Sequence, residues 1–149
     1  MESKVGSFLA SAEADARQSL ETGIAILEET GVRDGEGDAL SHLGWALKRL
    51  DLIDKARTTL VQSVKLAQAA GDLAAEALSR FRIATIDRDS DHRDEALNEI
   101  RRTLYIVEDL RRQGYDPDLR AAFLANIRMY YEFAIDLLED MHAQQRNTT

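Results

Sequence analysis

The stretch Ala56-Arg57-Thr58-Thr59-Leu60-Val61-Gln62-Ser63-Val64-Lys65-Leu66-Ala67-Gln68-Ala69-Ala70-Gly71 decides the fold class. Ala56, Leu60, Val64 and Ala67 fall at i, i+4, i+8 and i+11, which is one apolar stripe of an α-helix. Gly71 stands where helices commonly end in a left-handed residue. Forty residues earlier the pattern is Ala16, Leu20, Ile24, Leu27 and Gly31, and forty residues later it is Ala96, Ile100, Leu104 and Val107. Four apolar registers that recur three times at one shift mark an internal repeat.

Working outward, the first helix spans 5–30, with Phe8, Leu9 and Ala12 extending its stripe. A helical hairpin follows over 38–70, its helices opened by Asp38 and Asp54 as N-caps. A second hairpin covers 72–113, with a helix over 72–88 and another over 94–113, closed by Gly114. Asp116-Pro117 supplies an N-cap and a first-turn proline for a final helix over 117–144. The expectation is a single all-α domain over 1–149, with six helices and no strand.

Composition agrees with that class. Hydrophobic residues make up 44% and charged residues 31% of 149, with one proline and no cysteine. Near-absence of proline favours long helices, and absence of cysteine removes disulfides, thiolate nucleophiles and thiolate metal ligands together. No apolar run approaches a bilayer span, and Met1-Glu2-Ser3-Lys4 does not open like a signal peptide, so the reading is cytoplasmic and not membrane-bound. The net charge of −8 argues against nucleic acid, because phosphate binding needs clustered cations. The acids are uneven: residues 37–72 hold 4 acids and 5 bases, so a near-neutral middle lies between acidic flanks.

Leu40-x2-Leu43-Gly44-x2-Leu47 and Ala56-x3-Leu60 resemble the two helices of a tetratricopeptide (TPR) repeat, with leucine in place of the usual tryptophan and tyrosine. In the next copy Ile83-Ala84 and Ala96-x3-Ile100 fit, while Asp87 stands where Leu47 would be echoed. The resemblance implies a right-handed α-solenoid of about six antiparallel helices, in which each repeat's first helix lines a concave, peptide-binding groove. Leu119-Arg120-Ala121-Ala122-Phe123 and the run Tyr130–Leu138 are similar to the final helix of TPR arrays that precede bacterial CHAT (caspase-like) domains. No CHAT domain lies within these residues, so the resemblance implies a bacterial scaffold rather than a protease.

The candidate chemistry is sparse. Glu139-x2-His142 has the spacing of a di-iron helix but lacks a second copy. Asp87-Arg88-Asp89-Ser90-Asp91 opens like a calcium loop, yet His92 replaces the turn glycine and Asn98 the closing glutamate. Gly31-x3-Gly35-x-Gly37 follows a helix and lacks the Lys-Ser or Lys-Thr of a phosphate cradle. His42 and His92 have no nucleophile at a recognisable spacing. The expectation is therefore no catalysis, no cofactor and no metal.

Trp45 is the residue that invites a partner. Ser41, Trp45 and Lys48 share a helix face apart from Leu40, Leu43 and Leu47, and the forty-residue shift maps them onto Phe81, Thr85 and Arg88. In the resembling arrays that face lines the groove, and an aromatic among cations suits a peptide with an apolar anchor and an acidic group. The competing expectation is that Trp45 packs against Phe81 or a terminal helix. The final helix carries a surplus of apolar residues. Leu119, Phe123, Ile127, Tyr130, Ala134, Leu138 and Met141 form a covering stripe, which leaves Leu124, Tyr131, Ile135 and Leu137 for association, with a homodimer expected. The functional expectation is a protein–protein interaction scaffold; the alternative is a self-associating regulatory fragment that controls an effector in cis or in trans.

Overall fold

The computed structural model describes residues 4–30, 36–114 and 117–148, and among these it is all-helical. The helices are α1 (Lys4–Thr30), α2 (Glu36–Arg49), α3 (Ile53–Ala70), α4 (Leu73–Asp89), α5 (Arg93–Gln113) and α6 (Pro117–Asn147). None is long and apolar enough to cross a membrane. The expected Gly31–Gly35 loop and the Asp116 cap lie outside the described residues, as do the side chains of Ala16, Leu20, Ile24, Leu27 and Leu119.

One turn geometry repeats between the helices. Asp51, Gly71 and Asp91 each adopt positive φ (62°, 70° and 66°), twenty residues apart. In each case the following N–H reaches back five residues: Leu52 to the Leu47 carbonyl at 3.0 Å, Asp72 to Ala67 at 2.9 Å, His92 to Asp87 at 2.7 Å. This closure satisfies a terminal helix carbonyl and reverses the chain within two or three residues. Only Gly71 was legible as such a cap; Asp tolerates the left-handed region better than most residues with a Cβ.

The capping assignments change accordingly. Asp72 caps α4, its carboxylate accepting the Ala75 N–H at 3.0 Å. Asp54 does not cap α3, which already begins at Ile53 behind Leu52. Asp38 lies inside α2, α5 starts at Arg93, and α6 runs past residue 144 to Asn147.

Each helix packs on its successor, and α2 also touches α4 as α4 touches α6. The repeat registers are the buried ones. Ala56, Leu60, Ala96 and Ile100 have no exposed surface, and Ala67 and Val107 are 2% exposed. Gly44 makes the α2–α3 approach possible, since a Cβ there would stand 2.6 Å from Leu60 Cγ. Two apolar clusters result. Leu40, Leu43, Leu47, Leu60 and Val64 pack with Ile83 and Ile86 of α4, whereas Ala77, Phe81 and Ala84 of α4 belong with Ile100, Val107 and Tyr130. α4 is apolar on two faces because it is buried on two faces. Some expected core positions are not core: Phe8 is 72% exposed and Leu138 49%, while Leu137, expected on the outside, is fully buried. Ala12 is exposed as well.

Several polar groups inside this packing hold one another. The Ser63 hydroxyl contacts the Gly37 carbonyl at 2.5 Å and the Ser79 hydroxyl at 2.8 Å, tying α2, α3 and α4 together. Arg80 joins Glu76 at 3.0 Å and Glu99 at 3.1 Å. Asp87, the departure from the leucine register, is 1% exposed. It accepts from Arg57 Nε at 2.9 Å and Nη2 at 3.4 Å, and that hydrogen bond raises the Arg57 pKa despite the opposing effect of burial.

Removing one member of a buried pair strands the other charge, whereas replacing both with apolar side chains can be neutral. Asp87 is buried but Arg57 is half-exposed, so Arg57→Met alone should lower unfolding free energy by about 1–3 kcal/mol, read from urea midpoints. Asp87→Leu added to it, which restores the leucine of the first copy, should recover most of that loss. A double variant no more stable than Arg57→Met would contradict this account of Asp87.

Candidate functional site

Helix α2 carries Ser41, Trp45 and Lys48 on the face turned to α4, and the contacts there are specific. Ser41 is fully buried, and its hydroxyl accepts from Arg82 Nη1 at 2.9 Å. Lys48 Nζ donates to the Thr85 hydroxyl at 3.3 Å and pairs with Asp89 at 3.2 Å. Thr85 in turn donates to the Arg82 carbonyl at 2.7 Å. The half-buried Trp45 ring lies between two cations, with Lys48 Nζ 4.6 Å and Arg82 Cζ 5.4 Å from its centroid. Both distances suit attraction between a cation and the ring face.

The same registers on α4 turn toward α6. Phe81 is 6% exposed, with its ring centroid 5.0 Å from Tyr130 and 5.4 Å from Phe133. Arg88 Cζ lies 4.5 Å over the Phe133 ring. Positions 41 and 81, and 48 and 88, therefore reach forward from one helix to the second helix on, forming the α2–α4 and α4–α6 seams. This corrects the expected groove lining. Ser41, Phe81 and Thr85 are consumed by seam packing and offer almost no surface, whereas Trp45, Lys48 and Arg88 stay partly accessible. Trp45 meets Arg82, and the ring pairs of Phe81 are with Tyr130 and Phe133.

Arg82 is the participant that the forty-residue shift passes over, because the shift compares α2 with α4 and Arg82 belongs to the contact between them. The signal available was its spacing: Arg82, Thr85 and Asp89 lie at i, i+3 and i+7, one stripe of α4. Burial lowers the Arg82 pKa, opposed by the charge of Asp38 and by Tyr130. Among the described residues no carboxylate forms an ion pair with Arg82; its partners are the Ser41 hydroxyl and the Trp45 ring. A desolvated guanidinium with spare donors is a favourable place for an incoming carboxylate.

The other motifs disperse. The three carboxylates of the Asp87–Asp91 turn point to three different cations: Asp87 to Arg57, Asp89 to Lys48 and Asp91 to Arg93. They do not converge on a common point. No group of metal-binding side chains occurs among the described residues. A cleft of about 440 Å³ lies between the start of α5 and the end of α6, lined by Asp91, His92, Arg93, Glu95, Met141 and Gln144. Its charges are mixed and its arginine is already paired with Asp91, so it presents no convergent chemistry.

Compared with known proteins, the chain matches no protein-family model, no curated protein and no solved structure.

Tyr130 of α6 packs on Phe81, its ring centroid 5.0 Å away. It is fully buried, its hydroxyl has no hydrogen-bond partner among the described residues, and burial drives its pKa well above the ordinary phenol range, with Arg82 opposing. An unsatisfied buried hydroxyl costs about 1–3 kcal/mol. Tyr130→Phe keeps the ring on Phe81 and should raise stability by roughly 1 kcal/mol, seen as a higher urea midpoint. A fall of similar size would show that the hydroxyl is held by a partner.

Proposed function

We propose that this chain is a TPR-like helical-repeat module, non-enzymatic and cytoplasmic, that holds a peptide or helix of a partner protein across the α2–α4 seam. Several features support the repeat reading. One left-handed turn recurs at twenty residues, helices two apart pack on one another, and small residues stand where helices approach closely. Such an array presents a rigid surface assembled from neighbouring repeats.

The observation that carries the functional reading is Trp45, partly exposed and within reach of Lys48 and Arg82 from two different helices. In a chain of net charge −8, this is a local cationic and aromatic spot. Its chemistry suits a segment with an apolar side chain to lie on the indole and a carboxylate to reach Arg82. The carboxylate would find a guanidinium already stripped of part of its water, so the pair would form at smaller cost than on open surface. Aromatic and arginine residues of this kind dominate binding energy at interfaces.

Trp45 is the sole tryptophan, so its fluorescence reports this site alone. Titration with acidic peptides carrying an aromatic or aliphatic anchor should shift that emission, and the effect should weaken as salt screens the charges. With binding then followed by calorimetry, Trp45→Ala should weaken the best peptide by roughly 2 kcal/mol or more, and Arg82→Gln should remove the preference for acidic over amidated peptides. If Trp45→Ala instead lowers folding stability by about 3–5 kcal/mol, the ring is core packing and the site reading fails.

A further inference from the structure

The second apolar face of α6 is aligned with faces that elsewhere in the chain are covered by a helix. Gly44 of α2 meets Leu60 and Ala56 of α3. Forty residues on, Ala84 of α4 is fully buried in the cluster that contains Ala96 and Ile100 of α5. Its neighbour Ile83 belongs to the other cluster, with α2 and α3. Position 83 thus faces the preceding hairpin and position 84 the following helix. Another forty residues on, Phe123 is 3% exposed and packs against the preceding helices, while Leu124 is 47% exposed. Leu124 starts a stripe with Tyr131, Ile135 and Leu138, which are 38%, 56% and 49% exposed. At about 100° per residue the four lie within an arc of about 60°, rotated by roughly a quarter-turn from the buried stripe of Phe123, Tyr130, Ala134 and Leu137. The face stands where α3 stands on α2 and α5 on α4, and no helix of the described chain occupies it.

We infer that a second copy of this chain covers it, with α6 packed antiparallel on α6 of the partner copy about a two-fold axis at Tyr131. The sequence of the stripe is self-complementary under that operation. Leu124 and Leu138 lie seven residues on either side of Tyr131, so each leucine of one copy meets the other leucine of its mate. Charge selects the direction. Arg128 and Glu132 form an exposed pair at 2.8 Å along one edge of the stripe, and in an antiparallel pair like edges meet. Arg128 of each copy then comes beside Glu132 of the other, closing a ring of alternating charge. Parallel pairing would instead bring Arg128 level with Arg128 and Glu132 level with Glu132. The Tyr131 hydroxyl donates to Glu108 Oε1 at 2.8 Å, so its ring is anchored to α5 before the copies meet. The contact is isologous and closed, which is how a single exposed apolar face is ordinarily satisfied without running into fibres. It also leaves the α2–α4 seam of each copy outward and gives two presenting surfaces, hence avidity for a partner with two matching segments.

The test uses the whole chain. Sedimentation equilibrium across a concentration series should give a mass of twice 16.7 kDa. Ile135→Glu with Leu138→Glu should shift it toward the single-chain mass, with association weakened at least about tenfold and helical circular dichroism unchanged. Since the chain has no cysteine, orientation is read separately. Leu124→Cys and Leu138→Cys chains, mixed and oxidised, should cross-link to each other far faster than either does to itself. This second readout needs no charged substitution, so it decides the matter if the glutamate variant unfolds. A single-chain mass at every concentration, a dimer untouched by the glutamates, or preferential self-linking of Leu138→Cys would each overturn the proposal.

Discussion

The packing in this chain hangs on a backbone constraint: the carbonyls of Leu47, Ala67 and Asp87 each accept an N–H from five residues farther on. Closing that bond requires one residue at positive φ, and Asp51, Gly71 and Asp91 provide it. The helices are thereby stopped at a regular interval and reversed at a similar angle. Residues twenty apart fall on opposed helices of a pair, and residues forty apart fall on equivalent faces of successive pairs. The apolar repeat in the sequence has structural meaning only because the turns keep this phase.

Close approach is the second consequence. Gly44 against Leu60, and the fully buried Ala56, Ala84 and Ala96, let helix backbones come together where larger side chains would hold them apart. At such separation a buried polar atom that is to be satisfied must find its partner within the protein. The Ser63–Ser79 contact with the Gly37 carbonyl, the Arg80 pairs with Glu76 and Glu99, and the Asp87–Arg57 pair are the outcomes. They also explain how the second copy could depart from the leucine register: a carboxylate at 87 is tolerated because a guanidinium from α3 reaches it.

The seams between alternate helices are where this scheme meets the surface. Both place an arginine or lysine over an aromatic ring, Lys48 and Arg82 on Trp45 and Arg88 on Phe133. At the α4–α6 seam the aromatics interlock and are buried. At the α2–α4 seam Ser41 takes the place that Phe81 holds in the next copy, and its hydroxyl holds Arg82 instead of a ring. The α2–α4 seam thus keeps a partly exposed indole beside a guanidinium that, among the described residues, pairs with no carboxylate.

Helix type, helix order and the stripes of α3 and α5 were legible in the sequence, because an apolar period of 3.6 residues reports burial of one face and a fixed shift reports its recurrence. Gly71 was legible as a cap because glycine alone takes positive φ without steric cost. Asp51 and Asp91 were not, since aspartate serves equally as an N-cap, a solvated charge or a left-handed residue, and only the hydrogen bonds around it discriminate. Of the residues expected on a special face, Trp45, Lys48 and Arg88 keep partial exposure, whereas Phe81 is buried and Arg82 was not among them. Periodicity states the angle between residues on one helix and says nothing of which neighbouring helix fills each arc. The same limit exchanged Leu137 for Leu138 on α6, two positions about 1.5 Å apart along the axis but about 100° apart around it. What the sequence by itself determined was the local and the repeated: helices, their order, and the residues that must be buried somewhere. Which face meets which neighbour was decided only by tertiary packing, because it depends on the helix crossing that the turns impose and on the volumes that happen to oppose one another.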